Sequence, residues 1–339
     1  MRVLVTGAGG YIGSVLTRYL LEEGHHVRGV DRFFFGRQAL PPEDDRLEVL
    51  TEDIRWLDKS ALGGIDAVID LAALSNDPAG ELDAGKTWEI NHAGRVRVAQ
   101  LARAMNVRRY VLPSSCSIYG FQDGVLDETS PGNPLTTYAQ ANLRAESDVL
   151  SLATEQFLVV VLRQATVFGL SPRMRFDLAI NGMVRGFFKG GTIPILRDGT
   201  QWRPFVHIKD TVRAMRLVLD APAPLIGGQI FNVGSDEQNV QIMPLARMVA
   251  EAMGVPFAYE WYGLPDHRSY RVSFHKIRDR LGFRTRYTPQ DGAREIYEEL
   301  RRGDVDPDDP KTITVQWYKH LIETHPTLLE SREPEGSPR

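Results

Sequence analysis

The chain lacks the features that mark secreted, membrane-spanning or nucleic-acid-binding proteins. Its 339 residues contain a single cysteine, Cys116, so no disulfide can form within the chain, and we expect a reducing, cytoplasmic location. No apolar run approaches the roughly 18 residues that cross a membrane, and the first residues lack a signal-peptide pattern. The net charge of −4 predicts no nucleic-acid partner. Local cations and backbone amides would therefore have to hold any anionic ligand.

Strands and helices alternate through the first half of the chain. Apolar, β-branched segments predict strands, and segments with helical spacing separate them. The strands are predicted at 2–6, 27–31, 47–51, 67–71, 109–114 and 157–162, and the helices at 11–23, 87–105 and 137–155. This alternation predicts an α/β fold with a Rossmann-type doubly wound parallel sheet.

The rhythm changes near residue 169, where prolines begin to separate shorter elements. We interpret residues 1–169 as a dinucleotide-binding Rossmann domain that also carries the catalytic residues. Residues 170–325 are predicted to form a smaller, mixed α/β substrate domain, which could return segments to the sheet. Residues 326–339 are polar and are predicted to be a tail.

A glycine-rich turn follows the first strand. Gly7, Gly10 and Gly13 are spaced three apart, with Tyr11 and Ile12 opening the helix that follows. The first glycine permits a tight turn, the second lets a pyrophosphate approach the backbone, and the third lets the helix pack closely. The position between a strand and an amphipathic helix predicts a dinucleotide site.

An acidic residue, Asp31, ends the second strand about 20 residues beyond the turn. A carboxylate there suits the adenosine ribose of NAD and repels the 2′-phosphate of NADP, so NAD is the predicted cofactor. The neighbouring Arg32 could pair with such a phosphate, which keeps NADP open as the alternative. Asp53 and Ile54 follow the third strand and could meet the adenine, although Asp53 could equally cap a helix.

Further motifs accompany the glycine turn. They are Leu71-Ala72-Ala73, Asn91 within Glu89-Ile90-Asn91-His92-Ala93-Gly94, the run Ser114 to Gly120, Tyr138 within Thr137 to Asn142, Leu162-Arg163, the run Gln201 to Asp210, and Phe231-Asn232-Val233-Gly234. Together they resemble the extended short-chain dehydrogenases/reductases, in particular the NAD-dependent nucleotide-sugar epimerase/dehydratase family, from residue 1 to about residue 300. The resemblance implies that Leu71, Ala72, Ala73 and Asn91 lie at the cofactor.

The resemblance also implies a catalytic set. Ser115 falls on the hydroxyl that holds the reacting sugar oxygen, and Tyr138 falls on the tyrosine that acts as acid and base. The family has a lysine four residues later, which binds the nicotinamide ribose and lowers the tyrosine pKa. Here that position is Asn142, which we expect to face the cofactor without supplying a charge. Three explanations for the asparagine remain open, namely a slow natural enzyme, a different chemistry and an engineered inactivation.

Cys116 and Ser117 follow the catalytic serine. The family's 4,6-dehydratases carry two acidic residues there, and its glucuronate decarboxylases carry a glutamate at the second. Because neither residue is acidic here, those routes are disfavoured, whereas an epimerase tolerates small residues. Cys116 could donate a weak proton or could be a small buried apolar residue.

Arginines are predicted to hold the substrate. The resemblance places Arg203 and Arg268 at the nucleoside diphosphate, with surface ion pairs as the alternative, and adds Arg163 and Asn181 to the substrate site. The segment 171–176 should border the same cleft. No cluster has metal-ligand spacing, so no metal is predicted.

The sequence thus predicts an NAD-dependent isomerase that epimerises a nucleoside-diphosphate sugar, at C4, through a transient 4-keto sugar. A net nucleotide-sugar oxidoreductase or atypical dehydratase is one alternative, and a catalytically impaired sugar-nucleotide binding protein is another. The family also implies a homodimer formed through the helices at 87–105 and 137–155. Core packing alone would equally explain their apolar faces.

Overall fold

The computed structural model describes residues 1–42, 44–263 and 269–330. None of the helices within these ranges is long and apolar enough to cross a membrane. The strands are β1 (Arg2–Thr6), β2 (His26–Asp31), β3 (Leu47–Thr51), β4 (Ala67–Asp70), β5 (Arg109–Ser115), β6 (Val125–Leu126), β7 (Leu158–Gln164), β8 (Thr166–Phe168), β9 (Ile193–Leu196), β10 (Trp202–His207), β11 (Gln229–Val233), β12 (Asn239–Gln241), β13 (Tyr259–Tyr262) and β14 (Arg271–Val272).

The helices cover both faces of the main sheet and build most of the second lobe. They are α1 (Tyr11–Glu22), α2 (Asp77–Gly80), α3 (Ala84–Trp88), α4 (Arg95–Ala104), α5 (Thr137–Leu150), α6 (Ala179–Gly190), α7 (Ile208–Asp220), α8 (Ala223–Ile226), α9 (Ile242–Met253), α10 (His275–Leu281), α11 (Pro289–Arg302) and α12 (Thr314–Thr324). A π-helical segment, Glu89–Gly94, joins α3 to α4.

The main sheet has seven parallel strands in the order β11-β7-β5-β4-β1-β2-β3. Its central strands are runs of valine, leucine and isoleucine that are buried on both faces, as a sheet covered by helices requires. One apolar core lies under α1 and α7 and the other under α4 and α5. The predicted doubly wound sheet is therefore confirmed, and β11 joins it from the second half of the chain.

The predicted helices differ from the observed ones in their ends. The segment predicted as one helix at 87–105 begins at Ala84 and contains the π segment, whose buried Asn91 bonds the backbone of Leu74. Helix α5 ends at Leu150 rather than at residue 155, because the chain turns there to enter β7. Helix ends are where tertiary contacts most often override local sequence preference.

The chain order reverses between β1 and β4, since β2 and β3 lie on one side of β1 while β4, β5 and β7 lie on the other. In open parallel sheets the crevice outside the carboxyl ends at such a point is where ligands bind. The turn after β1, the end of β5 and the start of α5 all meet there.

The second lobe contains three small sheets and a separate core. Their orders are β12-β10-β8, β13-β9 and β14-β6, and helices α6, α9 and α11 pack together around this core. The chain then returns through α12 to the Rossmann domain. Leu328 and Leu329, which the sequence placed in a polar tail, are buried there, and Leu328 belongs to an apolar cluster that includes Leu74 and Tyr318.

A partly buried carboxylate joins α11 to the segment that follows β8. Glu295 accepts hydrogen bonds from His207 Nε2 at 2.7 Å, Lys209 Nζ at 2.6 Å and the Leu170 amide at 2.8 Å. Burial alone would raise the pKa of Glu295, but these partners lower it to about 2.

Replacing Glu295 should destabilise the fold in a pH-dependent way. Because the folded-state pKa lies below the unfolded one, the stabilisation is present above about pH 4.3 and disappears as the pH falls toward 2. We expect Glu295→Gln to lower the free energy of unfolding at pH 7 by about 2 kcal/mol. Denaturant titrations at several pH values measure this difference. Glu298→Gln, on the exposed face of α11, should change little, and an equal loss in both variants would contradict the assignment.

Candidate active site

A cavity of about 650 Å³ opens at the carboxyl ends of the main strands. Most of the predicted site residues line it. They are Gly7, Gly10, Tyr11, Ile12, Gly13, Asp31, Arg32, Asp53, Ile54, Leu71, Ala72, Ala73, Ser115, Ser117, Tyr138 and Arg203. A larger cavity of about 950 Å³ lies between α1, α7 and residues 304–312, but Ser115 and Tyr138 do not line it. The smaller cavity is the one that contains the predicted chemistry.

Two close backbone approaches shape the glycine turn. Gly7 has φ +67°, and a Cβ on it would lie 2.9 Å from the backbone of Leu71 and Ala72. A Cβ on Gly13 would lie 2.0 Å from the Gly7 carbonyl oxygen. Gly10 begins α1 with no side-chain cap, so the first helical amides point toward the cavity. The turn therefore offers backbone donors to an anion, with no side chain in the way.

Asp31 lies at the end of the cavity nearest β2. Its carboxylate accepts the Gly9 amide at 2.9 Å and the Phe33 amide at 2.6 Å, which fixes its orientation. Burial raises the pKa of Asp31, while these two amides lower it. Arg32, whose presence left NADP open, is buried and pairs with Asp53 at 3.2 Å. This arrangement leaves a carboxylate, rather than a free arginine, to meet a ribose.

The C-terminal segment covers the same end of the cavity. Val315 and Tyr318 of α12 and the buried Leu329 line it. The Leu329 carbonyl accepts a hydrogen bond from Arg55 at 2.7 Å, and the indole of Trp317 donates to the Phe34 carbonyl at 2.7 Å. Sequence reasoning missed these residues, because the apolar face of α12 does not indicate which surface it covers.

The cavity also contains unused hydrogen-bond donors. Arg173 is 7% exposed, lies 3.6 Å above the Phe35 ring, and bonds Thr314 through Nη2, whereas its Nε and Nη1 have no partner among the described residues. Burial, together with the nearby Arg175, lowers the pKa of Arg173 to about 10. With the helix amides and Asp31, this arginine fits the phosphates and ribose of a dinucleotide such as NAD.

Ser115 and Tyr138 line the cavity beyond the glycine turn. Ser115 ends β5, and its Oγ accepts the Ser117 amide at 3.1 Å while keeping its own proton to donate. Tyr138 is in the first turn of α5, which Thr136 caps by accepting the Ala139 amide. Ser117 Oγ is buried and has no partner among the residues that the structure describes. The three hydroxyl-bearing residues Ser115, Ser117 and Tyr138 therefore line the same cavity.

Opposing influences act on the Tyr138 phenol. Burial raises its pKa above the ordinary value, and Asp77 raises it further. Arg95, Asn142 and Arg175 lower it. Tyr138 would ionise at neutral pH only if cations outweighed burial, so the position of these cations decides its reactivity.

We expected Asn142 to face the cofactor, but it is not among the residues that line the cavity. It is buried, Nδ2 donates to the Tyr138 carbonyl at 2.9 Å, and Oδ1 accepts from Arg95 Nη1 at 2.7 Å. Arg95 lines the cavity instead. The short asparagine leaves room for this guanidinium, which reaches the site from α4.

Four other predicted residues lie outside the cavity because packing uses their polar groups. Asn91 bonds the backbone of Leu74, and Arg163 forms an ion pair with Glu146 at 2.8 Å. The Cys116 thiol is turned toward the carbonyl of Arg163, and burial raises its pKa. The interpretation of Cys116 as a small buried residue thus fits better than that of a proton donor.

Asn181 is also fully buried. Its amide donates to the Tyr11 hydroxyl at 3.1 Å and to the Arg175 carbonyl at 2.9 Å, and it accepts the Gly169 amide at 3.0 Å. It holds the second lobe against α1 and has no polar atom left for a substrate. Arg268, the second predicted diphosphate ligand, lies outside the described residues.

Comparisons with known proteins agree with this geometry. Residues 3–234 match the model of the NAD dependent epimerase/dehydratase family. The chain belongs to this family. Membership confirms the resemblance found in the sequence, and because the family is NAD dependent, it confirms NAD over NADP. An enzyme of the nucleotide-sugar class is therefore established, although the reaction within that class is not.

Several family members are similar over most of their length. The UDP-glucose 4-epimerase of Mycolicibacterium smegmatis is 29% identical over 314 residues, covering 89% of this chain and 99% of that protein. The dTDP-glucose 4,6-dehydratase of Streptomyces niveus is 27% identical over 358 aligned positions, covering 100% and 98%. The structure of MoeE5 in complex with UDP-glucuronic acid and NAD superposes with a TM-score of 0.78 at 31% identity, covering 89% and 100%.

Several further cavity residues were not among the predicted contacts. Arg173 and Arg175 were expected only as part of a segment bordering the cleft, and Arg95 and Asp77 were not expected at all. Arg95 stands four residues after Asn91, a spacing that places two residues on the same side of a helix. This spacing was the one sequence feature that could have indicated Arg95 as a cavity residue. The π segment between them changes the register, which the sequence does not reveal.

The closest backbone approach in the glycine turn gives a direct test. Gly13→Ala would place a methyl group 2.0 Å from the Gly7 oxygen, so we expect NAD affinity to fall by at least a hundredfold or the domain to unfold. Calorimetric titration with NAD and thermal unfolding measure both effects. Gly190→Ala, where a Cβ meets nothing within 4 Å, is the matched control. Wild-type NAD affinity in Gly13→Ala would show that this turn does not hold the cofactor.

Proposed function

We propose that the protein is an NAD-dependent epimerase that inverts C4 of a nucleoside-diphosphate sugar. The observation that carries the proposal is the meeting of Ser115 and Tyr138 in one cavity with the glycine turn, with no carboxylate at positions 116 and 117. The serine, the tyrosine and the dinucleotide cradle together suit removal of a proton and a hydride from one carbinol carbon. Residues 116 and 117 offer no strong acid to expel a neighbouring hydroxyl.

The roles of the side chains follow from their positions. Ionised Tyr138 accepts the proton of the C4 hydroxyl, while Ser115 donates a hydrogen bond to the same oxygen. The glycine turn, Asp31 and Arg173 would hold NAD, which would supply a hydride acceptor for C4 and a hydride donor for the opposite face of the sugar. Tyr138 returns its proton to the oxygen of the transient keto sugar, so the reaction is redox-neutral overall.

The opposite end of the cavity suits the nucleotide part of the substrate. Arg203 lies with its guanidinium 5.3 Å from the centre of the Tyr270 ring, and Gln201, Phe205 and Tyr262 line the same region. An arginine beside aromatic rings can bind a diphosphate and support a base. The substrate would then extend from Arg203 to Tyr138.

The relatives support the substrate class and leave the reaction open. Relatives bear the names UDP-glucose 4-epimerase, dTDP-glucose 4,6-dehydratase and UDP-N-acetyl-alpha-D-glucosaminuronate decarboxylase, at 24–29% identity. One solved relative has been described with UDP-glucose and with UDP-glucuronic acid. These names favour a UDP- or dTDP-sugar as the first substrate to try.

A dehydratase is the second candidate, and Asp77 is the observation that favours it. This carboxylate lines the cavity and acts electrostatically on Tyr138, so an acid is present although not at the usual positions. Loss of water reduces the mass of the sugar product by 18 Da, whereas epimerisation leaves the mass unchanged. Mass spectrometry therefore separates the two reactions.

The proposal is tested with purified protein, NAD and a panel of UDP-, dTDP-, GDP- and CDP-sugars, followed by proton NMR. We expect one pair of C4 epimers to interconvert and Tyr138→Phe to lower kcat by at least about a hundredfold. NAD binding by that variant should be unchanged. Tyr297→Phe, on α11, should keep full activity. Failure to interconvert any pair, or a fully active Tyr138→Phe protein, would overturn the proposal.

A further inference from the structure

Arg95 is the first residue of α4 and one of the buried polar residues at the site. Its side chain is 3% exposed and reaches across the carboxyl ends of β4 and β5. Nη2 donates to the Asp70 carbonyl at 3.1 Å and to the Pro113 carbonyl at 2.8 Å, and Nη1 donates to Asn142 Oδ1 at 2.7 Å. Three contacts from two strands and one helix hold the guanidinium plane in one orientation.

The acceptors of Arg95 are neutral, so its charge is not spent on an ion pair with them. The buried carboxylate of Asp70 accepts hydrogen bonds from the hydroxyls of Thr6 and Tyr110. Burial raises the pKa of Asp70, and the charge of Arg95 lowers it. Arg95 Nε is buried and has no partner among the described residues. A buried donor without a partner is costly, and this one belongs to a side chain that lines the cavity.

Asn142 connects this cation to Tyr138. It is one helical turn after Tyr138 on α5, and it bonds the Tyr138 carbonyl and Arg95 at the same time. A lysine at this position would bring a second positive charge against a buried guanidinium, which is strongly unfavourable. The two positions therefore fit each other as a pair, arginine with asparagine.

We infer that Arg95 supplies the positive charge that stabilises ionised Tyr138, and that Asn142 is the positioning residue that holds it. The inference rests on the proposed role of Tyr138 as acid and base. It gives Tyr138 a nearby cation although the family's lysine is replaced by asparagine at position 142. The unpartnered Nε of Arg95 also gives the site a donor for a ligand hydroxyl, as the lysine would.

The electrostatic surroundings of Tyr138 agree with this assignment. Burial raises the pKa of Tyr138, and among the charged groups Arg95 has the largest effect, which lowers it. Asp77 from α2 acts in the opposite sense, and Arg175 adds a weaker lowering. Asp177 neutralises much of Arg175, since the two form an ion pair at 2.8 Å. Arg95 is thus the principal cation for the phenol.

The test titrates Tyr138 directly, in full-length protein saturated with NAD and labelled with ¹³Cζ-tyrosine. The Tyr138 resonance is assigned by its absence from Tyr138→Phe. Because a cation favours the phenolate, we expect Arg95→Met to raise the midpoint by about one pH unit or more. Arg95→Lys, which keeps the charge, should stay within half of that shift. Arg103→Met, on the exposed part of α4, should match the wild type.

A merely structural role would affect Arg95→Lys and Arg95→Met alike, so equal midpoints in those two variants, or a wild-type midpoint in Arg95→Met, overturn the inference. The titration needs no turnover. If the midpoint shifts in Arg95→Met but the wild type epimerises no sugar, the proposed function is wrong and the inference about Arg95 stands. If the wild type is an active epimerase but the midpoints do not shift, the proposed function stands and the inference is wrong.

Moving the positive charge from position 95 to position 142 gives an independent test of the inference. We expect Asn142→Lys alone to lower kcat at least tenfold, because the new charge opposes Arg95. Combining it with Arg95→Met should recover activity above either single variant and return the Tyr138 midpoint toward the wild type. An Asn142→Lys protein that is more active than the wild type would show that the site lacks a cation, and would contradict the assignment to Arg95.

Discussion

The structure depends on one steric constraint, the close contact between the glycine turn after β1 and the backbone that follows β4 at the centre of the sheet. Gly13 lies so close to Gly7, and Gly7 so close to the chain after β4, that none of these contacts leaves room for a Cβ. This closeness brings the start of α1 over the carboxyl ends of β1 and β4. The cofactor cradle, the catalytic end of β5 and the first turn of α5 then surround one cavity.

A buried polar layer beneath that cavity gives the site its electrostatic character. Asp70 and Arg95 lie near each other inside the domain, and each is satisfied mainly by neutral groups, such as the hydroxyls of Thr6 and Tyr110. Such a network is costly to build, because every member loses water, and it fixes its members once built. In this protein it holds the Arg95 guanidinium through three neutral acceptors, in the cavity that Tyr138 also lines.

The sequence predicted much of this arrangement, for physical reasons. The strands are short runs of buried, mostly apolar residues. Asp31 and Ser115 end strands and Gly7 directly follows one, so their location at one edge of the sheet follows from the topology. Ser115, Tyr138 and the cofactor NAD could be predicted because the spacing of the sequence motifs resembles that of a known family. A cytoplasmic location and a homodimer stay predictions.

Other features depend on contacts between distant parts of the chain, and the sequence alone could not specify them. The π segment before Arg95 changes which side chains of that helix face inward. Leu329 reaches the cavity only because α12 folds back on the Rossmann domain. Arg163 and Asn181 carry the right chemistry but use it in packing, and only the three-dimensional contacts reveal that.

The epimerase assignment is tested most directly by following a label on the reacting carbon. UDP-, dTDP-, GDP- and CDP-sugars carrying deuterium at C4 would be incubated with the protein and NAD, and the sugars would be recovered for NMR and mass spectrometry. If the account is right, the epimer of one of them accumulates with deuterium retained at C4 and no free NADH appears. Recovery of a dehydrated sugar, or absence of any epimer from the whole labelled panel, would contradict it.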